Sequence, residues 1–291
     1  MKNLFILLFI IGSIQFFTGC GENKDSASVK LSSFRGYLES LHKSELSSIS
    51  KSFNEYRKNF TSAAPEIRDS AFIDFRSFYY NVINSYYEVF FNNQDLVNKL
   101  NENKNDDPKV LQLKKDLDQN GLRLSKTEGG YYIDEQQNYL YDNFKSYVSP
   151  AIRDYLLLRS KELVEGFSEN SKLLITFQSV GDRIINWENY LTKYPTSPLS
   201  AEAKFSFHLY LNTFLTGLDN SPISNDETLL PEMKDVYKNY VQKNNSLESG
   251  KIVEKYYAIL SKNNFHMTSD LDDFYEENQI ESMKGMEPPT R

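Results

Sequence analysis

The chain has a single cysteine, Cys20, a single tryptophan, Trp187, and three histidines in 291 residues. One thiol can form no internal disulfide and no cysteine-based zinc site, so the fold has to be held by packing. Glycine and proline are scarce, with 12 and 9 residues, whereas an average chain carries about 12% of the two together. Few turn formers mean long, little-interrupted elements, which favours helices. No run of lysine or arginine occurs and the formal charge is −7, so a nucleic-acid partner is excluded on charge. Gly-rich phosphate loops, His-Glu-x-x-His and Gly-x-Ser-x-Gly are all missing. No motif-based enzyme class applies, no cofactor is implied and no catalytic residue is nominated.

What is abundant is the aromatic side chain, with 20 Phe and 20 Tyr. Tyrosines on amphipathic helices are expected half-buried, ring in the core and hydroxyl in water. Clustered tyrosines would also suit a carbohydrate or protein interface. The hydrophobic fraction, 40%, is enough for a sizeable core.

The first residues have the layout of an export signal. Lys2 supplies a positive charge, Leu4 to Phe17 is apolar apart from Gly12, Ser13 and Gln15, and the small residues Thr18 and Gly19 precede Cys20. The apolar stretch is shorter than the roughly 20 residues of a membrane-spanning helix, which makes a permanent span the weaker alternative. Phe17-Thr18-Gly19-Cys20 resembles the lipobox of bacterial lipoproteins. That resemblance implies cleavage before Cys20, acylation of its thiol and a lipid anchor in a membrane outside the cytoplasm, at the cell envelope. The alternative, an ordinary signal peptide, leaves an unpaired thiol in an exported chain without explanation. Residues 1–19 are thus expected to be removed, which takes away Lys2 and makes the balance one unit more negative. Residues 20–29, small and polar, are expected to form a flexible tether.

Beyond the tether, helical spacing dominates. Leu31, Phe34, Leu38, Leu41, Leu46, Ile49, Phe53, Tyr56 and Phe60 mostly alternate intervals of three and four. Ala63-Ala64-Pro65 breaks the pattern, with Ser62 as the expected cap. Phe72, Phe75, Tyr79, Val82, Tyr86 and Val89 then form one stripe, and Ile73, Tyr80, Ile83, Tyr87 and Phe90 an adjoining one. So wide an apolar face predicts two or more neighbouring helices, with a coiled-coil dimer as the alternative. Residues 30–104 are read as an N-terminal helical hairpin, and the polar stretch 101–120 as a boundary. Gly121 to Ile133 reads as a small β-hairpin around Glu128-Gly129-Gly130. Residues 121–283 form the expected C-terminal helical domain, and 284–291 a disordered tail. The fold class expected is all-α, a multi-helix bundle of antiparallel hairpins with that one small β-hairpin.

Three groups of polar residues were weighed as sites. His42, His208 and His266 lie far apart in sequence, so a shared metal site is not expected. Asp219 to Glu227 is rich in oxygen ligands, but lacks the central glycine of an EF-hand and is better read as a capped loop. Asp270, Asp272, Asp273, Glu276 and Glu277 read as a solvated face opposite Leu271, Phe274 and Ile280. No metal is expected.

Trp187 to Pro198, followed by Ala201-Glu202-Ala203, resembles the helix-turn-helix of tetratricopeptide-like repeats in envelope lipoproteins, over about one repeat. The run from Gly121 onward, with Glu128-Gly129, Ser149-Pro150, Trp187-Glu188, Tyr194-Pro195 and Gly217-Leu218-Asp219-Asn220, is also similar to uncharacterised helical bacterial proteins. In the hairpin, Trp187 is expected to face the return helix of Ala203, Phe207 and Phe214, with Ser197-Pro198 starting that helix. Taken together, the expectation is a non-enzymatic, membrane-anchored envelope lipoprotein that acts as a scaffold for a protein partner. The alternatives are a binder of a soluble ligand or glycan through a Tyr-rich groove, and an enzyme of unfamiliar type, which clustered shifted carboxylates would favour. Cys20→Ala is expected to abolish palmitate incorporation and lipoprotein processing in cells. Lipid labelling of that variant, or none of the wild type, would overturn the lipobox assignment.

Overall fold

A computed structural model describes residues 24–127 and 130–283. The signal segment, Cys20, the Glu128-Gly129 turn and the tail at 284–291 lie outside the described residues. The described chain is all-α with small two-stranded sheets.

Helix α1 (Lys24–Ser40) starts inside the stretch expected to be tether. Ala27 stands seven residues before Phe34 and eleven before Leu38, on one helical face, and all three are buried. That shared face carries the helix further back than its polar composition suggested. Helices α2 (Ser47–Phe60) and α3 (Pro65–Asn92) follow. Pro65 occupies the first turn of α3, and Ala64, not Ser62, takes the cap position without a side-chain bond. Phe34 meets Phe60 at 5.2 Å and Tyr56 at 6.4 Å between ring centroids.

The expected boundary is structured. Helices α4 (Gln94–Asn101) and α5 (Pro108–Gln119) bury Leu96, Leu100, Val110, Leu113 and Leu117 in the same core as α3, while Leu111 is exposed. Strands β1 (Leu122–Thr127) and β2 (Gly130–Glu135) pair antiparallel, Leu122 opposite Glu135 and Thr127 opposite Gly130. Gly121, at φ +72°, lies where a Cβ would stand 2.2 Å from the Tyr139 ring, so only glycine fits. On α6 (Tyr139–Phe144), Phe144 meets Phe53, Tyr56, Phe72 and Phe75. The core is thus continuous from the N-terminal hairpin into the rest of the chain.

Helix α7 (Pro150–Glu165) is capped by Ser149, whose hydroxyl accepts from the Ile152 amide. Two tight hairpins, β3 (Ser168–Glu169) with β4 (Lys172–Leu173) and β5 (Ser224–Asn225) with β6 (Thr228–Leu229), were not anticipated. Their turns place Asn170, Ser171, Asp226 and Glu227 at positive φ, as two-residue hairpin loops of the primed type require. Without glycine they gave no hairpin signal. The second lies within the oxygen-rich loop, whose Asn220 bonds back to Asn170 and Ser171 carbonyls.

Helices α8 (Phe177–Lys193) and α9 (Ser200–Thr216) form the expected antiparallel pair. Helix α9 begins two residues later than predicted: Ser197 accepts from the Leu199 amide and bonds the Tyr190 hydroxyl, so Pro198 lies in the turn. Trp187 is fully buried, but its ring meets Tyr155 of α7 at 5.3 Å and its indole N–H donates to Glu162 of α7 at 2.6 Å. The indole is therefore oriented by a polar partner on α7, which apolar periodicity could not anticipate. Phe214 of α9 instead meets Tyr237 and Tyr240 of α10 (Pro231–Asn244). Helices α11 (Glu248–Lys262) and α12 (Asp270–Glu277) complete the chain.

Many tyrosines, among them Tyr80, Tyr139 and Tyr147, are half-buried as expected, but others lie wholly inside. Tyr79, Tyr237 and Tyr256 are fully buried, and their hydroxyls are satisfied inside the protein. Tyr79 donates to the Gly121 carbonyl at 2.7 Å, Tyr237 to that of Phe214 at 2.7 Å and Tyr256 to that of Leu215 at 2.8 Å. The last two acceptors lie in the final turn of α9, where carbonyls have no intrahelical partner. Tyr256→Phe should therefore cost about 1–2 kcal/mol by stranding a buried acceptor. Trp187→Ala should cost about 3–5 kcal/mol. Denaturant melts of the two variants check this, and equal costs would contradict it.

Candidate functional site: a buried ionic cluster

Among the described residues, a concentration of largely buried charge forms where α3, β2, α7, α8 and α9 meet, with Glu202, 47% exposed, at its edge. On α7, Tyr155, Arg159 and Glu162 stand at i, i+4 and i+7, on the helix face that buries Ile152. Arg76 and Tyr80 on α3 and Arg183 and Trp187 on α8 are likewise four apart. Glu135 closes β2 and Glu202 lies in the first turn of α9.

Arg76 binds Glu202 with two prongs, at 2.7 and 2.6 Å. Its guanidinium lies 5.0 Å from the Tyr80 ring centre and 5.5 Å from that of Tyr155. The Tyr155 hydroxyl donates to Glu202 at 2.9 Å, and the Tyr80 hydroxyl to Glu135 at 2.9 Å. Arg159 donates to Glu162 at 3.0 Å, so Glu162 is held from two sides by Arg159 and Trp187. Arg183 donates to the Gly166 carbonyl at 2.6 Å, to Glu165 at 3.0 Å and to the Tyr210 hydroxyl at 3.2 Å.

Burial pushes the Glu135 carboxyl above its ordinary range, with the Tyr80 hydroxyl, Arg159 and Arg76 pulling the other way. Burial also acts to raise Glu202, but its bonds to Arg76 and Tyr155 outweigh this and hold it low. Glu202 and Glu162 each face an arginine, Arg76 and Arg159, while Glu135 is held by the Tyr80 hydroxyl. The Tyr155 hydroxyl is driven upward by burial and stays protonated as a donor.

These groups can hold helices in register. The void at this edge, bounded by Glu135, Asn138, Leu156, Arg159 and Ser160 among others, has about 10 Å³, close to the space of one water. Each of the three central carboxyls, Glu135, Glu162 and Glu202, already accepts hydrogen bonds, and no thiol or serine–histidine pair adjoins them.

The other weighed residues stay dispersed. His42 uses its backbone carbonyl to accept from Ser48, His208 sits edge-on to Phe207, and His266 bonds the Thr228 hydroxyl at 3.1 Å. Among the described residues, no group of three or more His, Cys, Asp or Glu is placed to hold a metal, and no helix is long and apolar enough to cross a membrane. Asp270, Asp272, Asp273, Glu276 and Glu277 are exposed opposite buried Leu271 and Phe274. Tyrosines 56, 79, 155, 210, 237, 240 and 256 are buried core residues and so line no groove. Sequence reasoning missed the ionic cluster because isolated Arg and Glu residues on helices look like solvated faces. The available signal was Arg159 and Glu162 falling in register with Ile152 and Tyr155. Comparison with known proteins finds no family model, no curated protein and no solved structure that matches this chain.

Because the folded state holds the Glu135 proton more tightly than an unfolded chain does, this group contributes stability at low pH. That contribution is lost as the pH rises from the ordinary carboxyl value, 4.5, through the raised one. Glu135→Gln keeps an oxygen for the Tyr80 hydroxyl and carries no charge. It should raise the melting temperature at neutral pH and leave it nearly unchanged near pH 4. A lower melting temperature at neutral pH would show that the ionised form is the stabilising one.

Proposed function

We propose that this chain is a lipid-tethered, non-enzymatic scaffold of the bacterial envelope, anchored through Cys20 and offering the surface of a rigid helical body to a protein partner. The observation that carries the non-enzymatic part is the buried ionic cluster: its carboxyls are engaged by Arg, Tyr and Trp donors, and the space beside it is near 10 Å³. Polar groups so engaged by one another have little capacity left for a substrate, and of the three carboxyls only Glu202, 47% exposed, opens to solvent.

The anchor rests on the Phe17-Thr18-Gly19-Cys20 motif, since two or three acyl chains on one cysteine suffice for stable attachment where one does not. The partner surface is supported by the outer end of α3, where Tyr87 and Phe91 are 39% and 50% exposed with ring centroids 5.4 Å apart. Solvent-facing aromatic pairs are disproportionately contact residues in protein interfaces.

A photo-reactive residue placed at Phe91 should give one discrete protein adduct in intact cells, and the adduct should fall sharply in a Cys20→Ala background. An adduct unchanged by Cys20→Ala would contradict the tethered reading, and no protein adduct at all the scaffold reading.

A further inference from the structure

The surface of the described residues carries a shallow, open depression of about 540 Å³, lined by Asn54, Arg57, Lys58, Thr61 and Tyr147. Every lining side chain carries a hydrogen-bond donor, two are cations and none is a carboxylate. On a chain of charge −7, that local sign is the opposite of the whole. The Arg57 guanidinium lies 5.7 Å from the Phe53 ring and has no carboxylate partner among the described residues. Lys58 shares only a loose 3.6 Å contact with Glu55, and its side chain is 73% exposed. Arg57 and Lys58 also answer the negative end of α2, a role that needs neither Tyr147, from another segment, nor the concavity.

The position of the depression matters as much as its charge. Phe34 of α1 packs against Phe60 and Tyr56 of α2, and Arg35 bonds Asp74 of α3 at 2.8 Å. The end of α2 is therefore level with the middle of α1, and α1 runs from there back toward Cys20. Ten residues separate Lys24 from Phe34, about 15 Å of helix, and the four residues from Cys20 to Lys24 add at most about 14 Å. With α1 lying along a membrane surface, the depression reaches the headgroups.

We propose that this depression binds the phosphate of an anionic phospholipid headgroup and so lays the tethered body down on its membrane, a proposal that rests on the lipid anchor at Cys20. Arg57 and Lys58 supply the charge, and Asn54 and Tyr147 supply donors to the phosphate oxygens, while the Thr61 hydroxyl donates to the Arg57 carbonyl at 3.1 Å. Each cation near an anionic surface contributes about a fivefold gain in binding, so losing both costs roughly thirtyfold, and added salt screens the effect.

The test uses the full chain as cells export it, carrying Ser62→Cys beside the depression for a fluorophore and returned to vesicles holding a nitroxide-headgroup lipid. Vesicles of phosphatidylcholine with phosphatidylglycerol should quench the label strongly, and phosphatidylcholine alone should not. Arg57→Gln with Lys58→Gln should abolish the difference with melting unchanged, while Arg57→Lys with Lys58→Arg should keep it. Quenching equal in both lipids, or indifferent to the double Gln variant, overturns the proposal. Displacement by inorganic phosphate at millimolar concentration also overturns it, assigning the site to free phosphate. Failure of the anchor registers separately, as labelling of a free Cys20 and loss of sedimentation with phosphatidylcholine vesicles. In that case the site is still decided by sedimentation with phosphatidylglycerol vesicles, retained by the wild type and lost by the double Gln variant.

Discussion

Arg76 is the point at which the two halves of the chain are joined. It reaches across 126 sequence positions to grip Glu202 with both prongs of its guanidinium, between the rings of Tyr80 and Tyr155. Its side chain is only 13% exposed. A guanidinium so nearly withdrawn from water needs a counter-ion, because the desolvation of an unpaired ion costs several kcal/mol; both terminal nitrogens of Arg76 are paired with Glu202, while its Nε has no hydrogen-bond partner. The demand fixes the angle at which α3 meets α9 and, through the Tyr155 hydroxyl, the position of α7. Apolar packing alone would have permitted neighbouring registers of nearly equal energy.

The tyrosines extend the same logic through the interior. In Tyr79, Tyr237 and Tyr256 the ring supplies packing area and the hydroxyl reaches a carbonyl on another element. A phenylalanine core of the same volume would fill space without specifying where α9 ends. Contacts such as Tyr237 with Tyr256 at 5.5 Å, ring planes 85° apart, add edge-to-face complementarity.

The ionic cluster has the shifted carboxyl and buried donors that draw attention to catalytic sites, and its carboxyls are engaged by Arg, Tyr and Trp donors. Exposed chemistry is found on the surface: an aromatic pair, Tyr87 and Phe91, in the last turns of α3 and a cationic depression along the C-terminal half of α2.

Much of the architecture was legible in the residue order. Intervals of three and four marked the buried faces of α2 and α3, Trp187 to Ala203 marked the pair of α8 and α9, and Gly121 to Ile133 stood out as extended chain. Helical periodicity survives any context because one face must always be buried. The hairpins at Asn170-Ser171 and Asp226-Glu227 were not legible, since their turns lack the glycine that signals positive φ and are held by neighbouring segments. Nor was the α1 start, which depends on Ala27 finding a core to face, or the partner of Trp187. What the order of residues determined by itself is the helical, disulfide-free character of the chain, from its spacing and its lone Cys20. What only the tertiary structure decided is which polar residues leave water. Arg76, Glu135, Arg159 and Glu162 are ordinary surface residues until five elements converge on them, because the energy of a charge depends on its surroundings in space and those are set by contacts far apart in sequence.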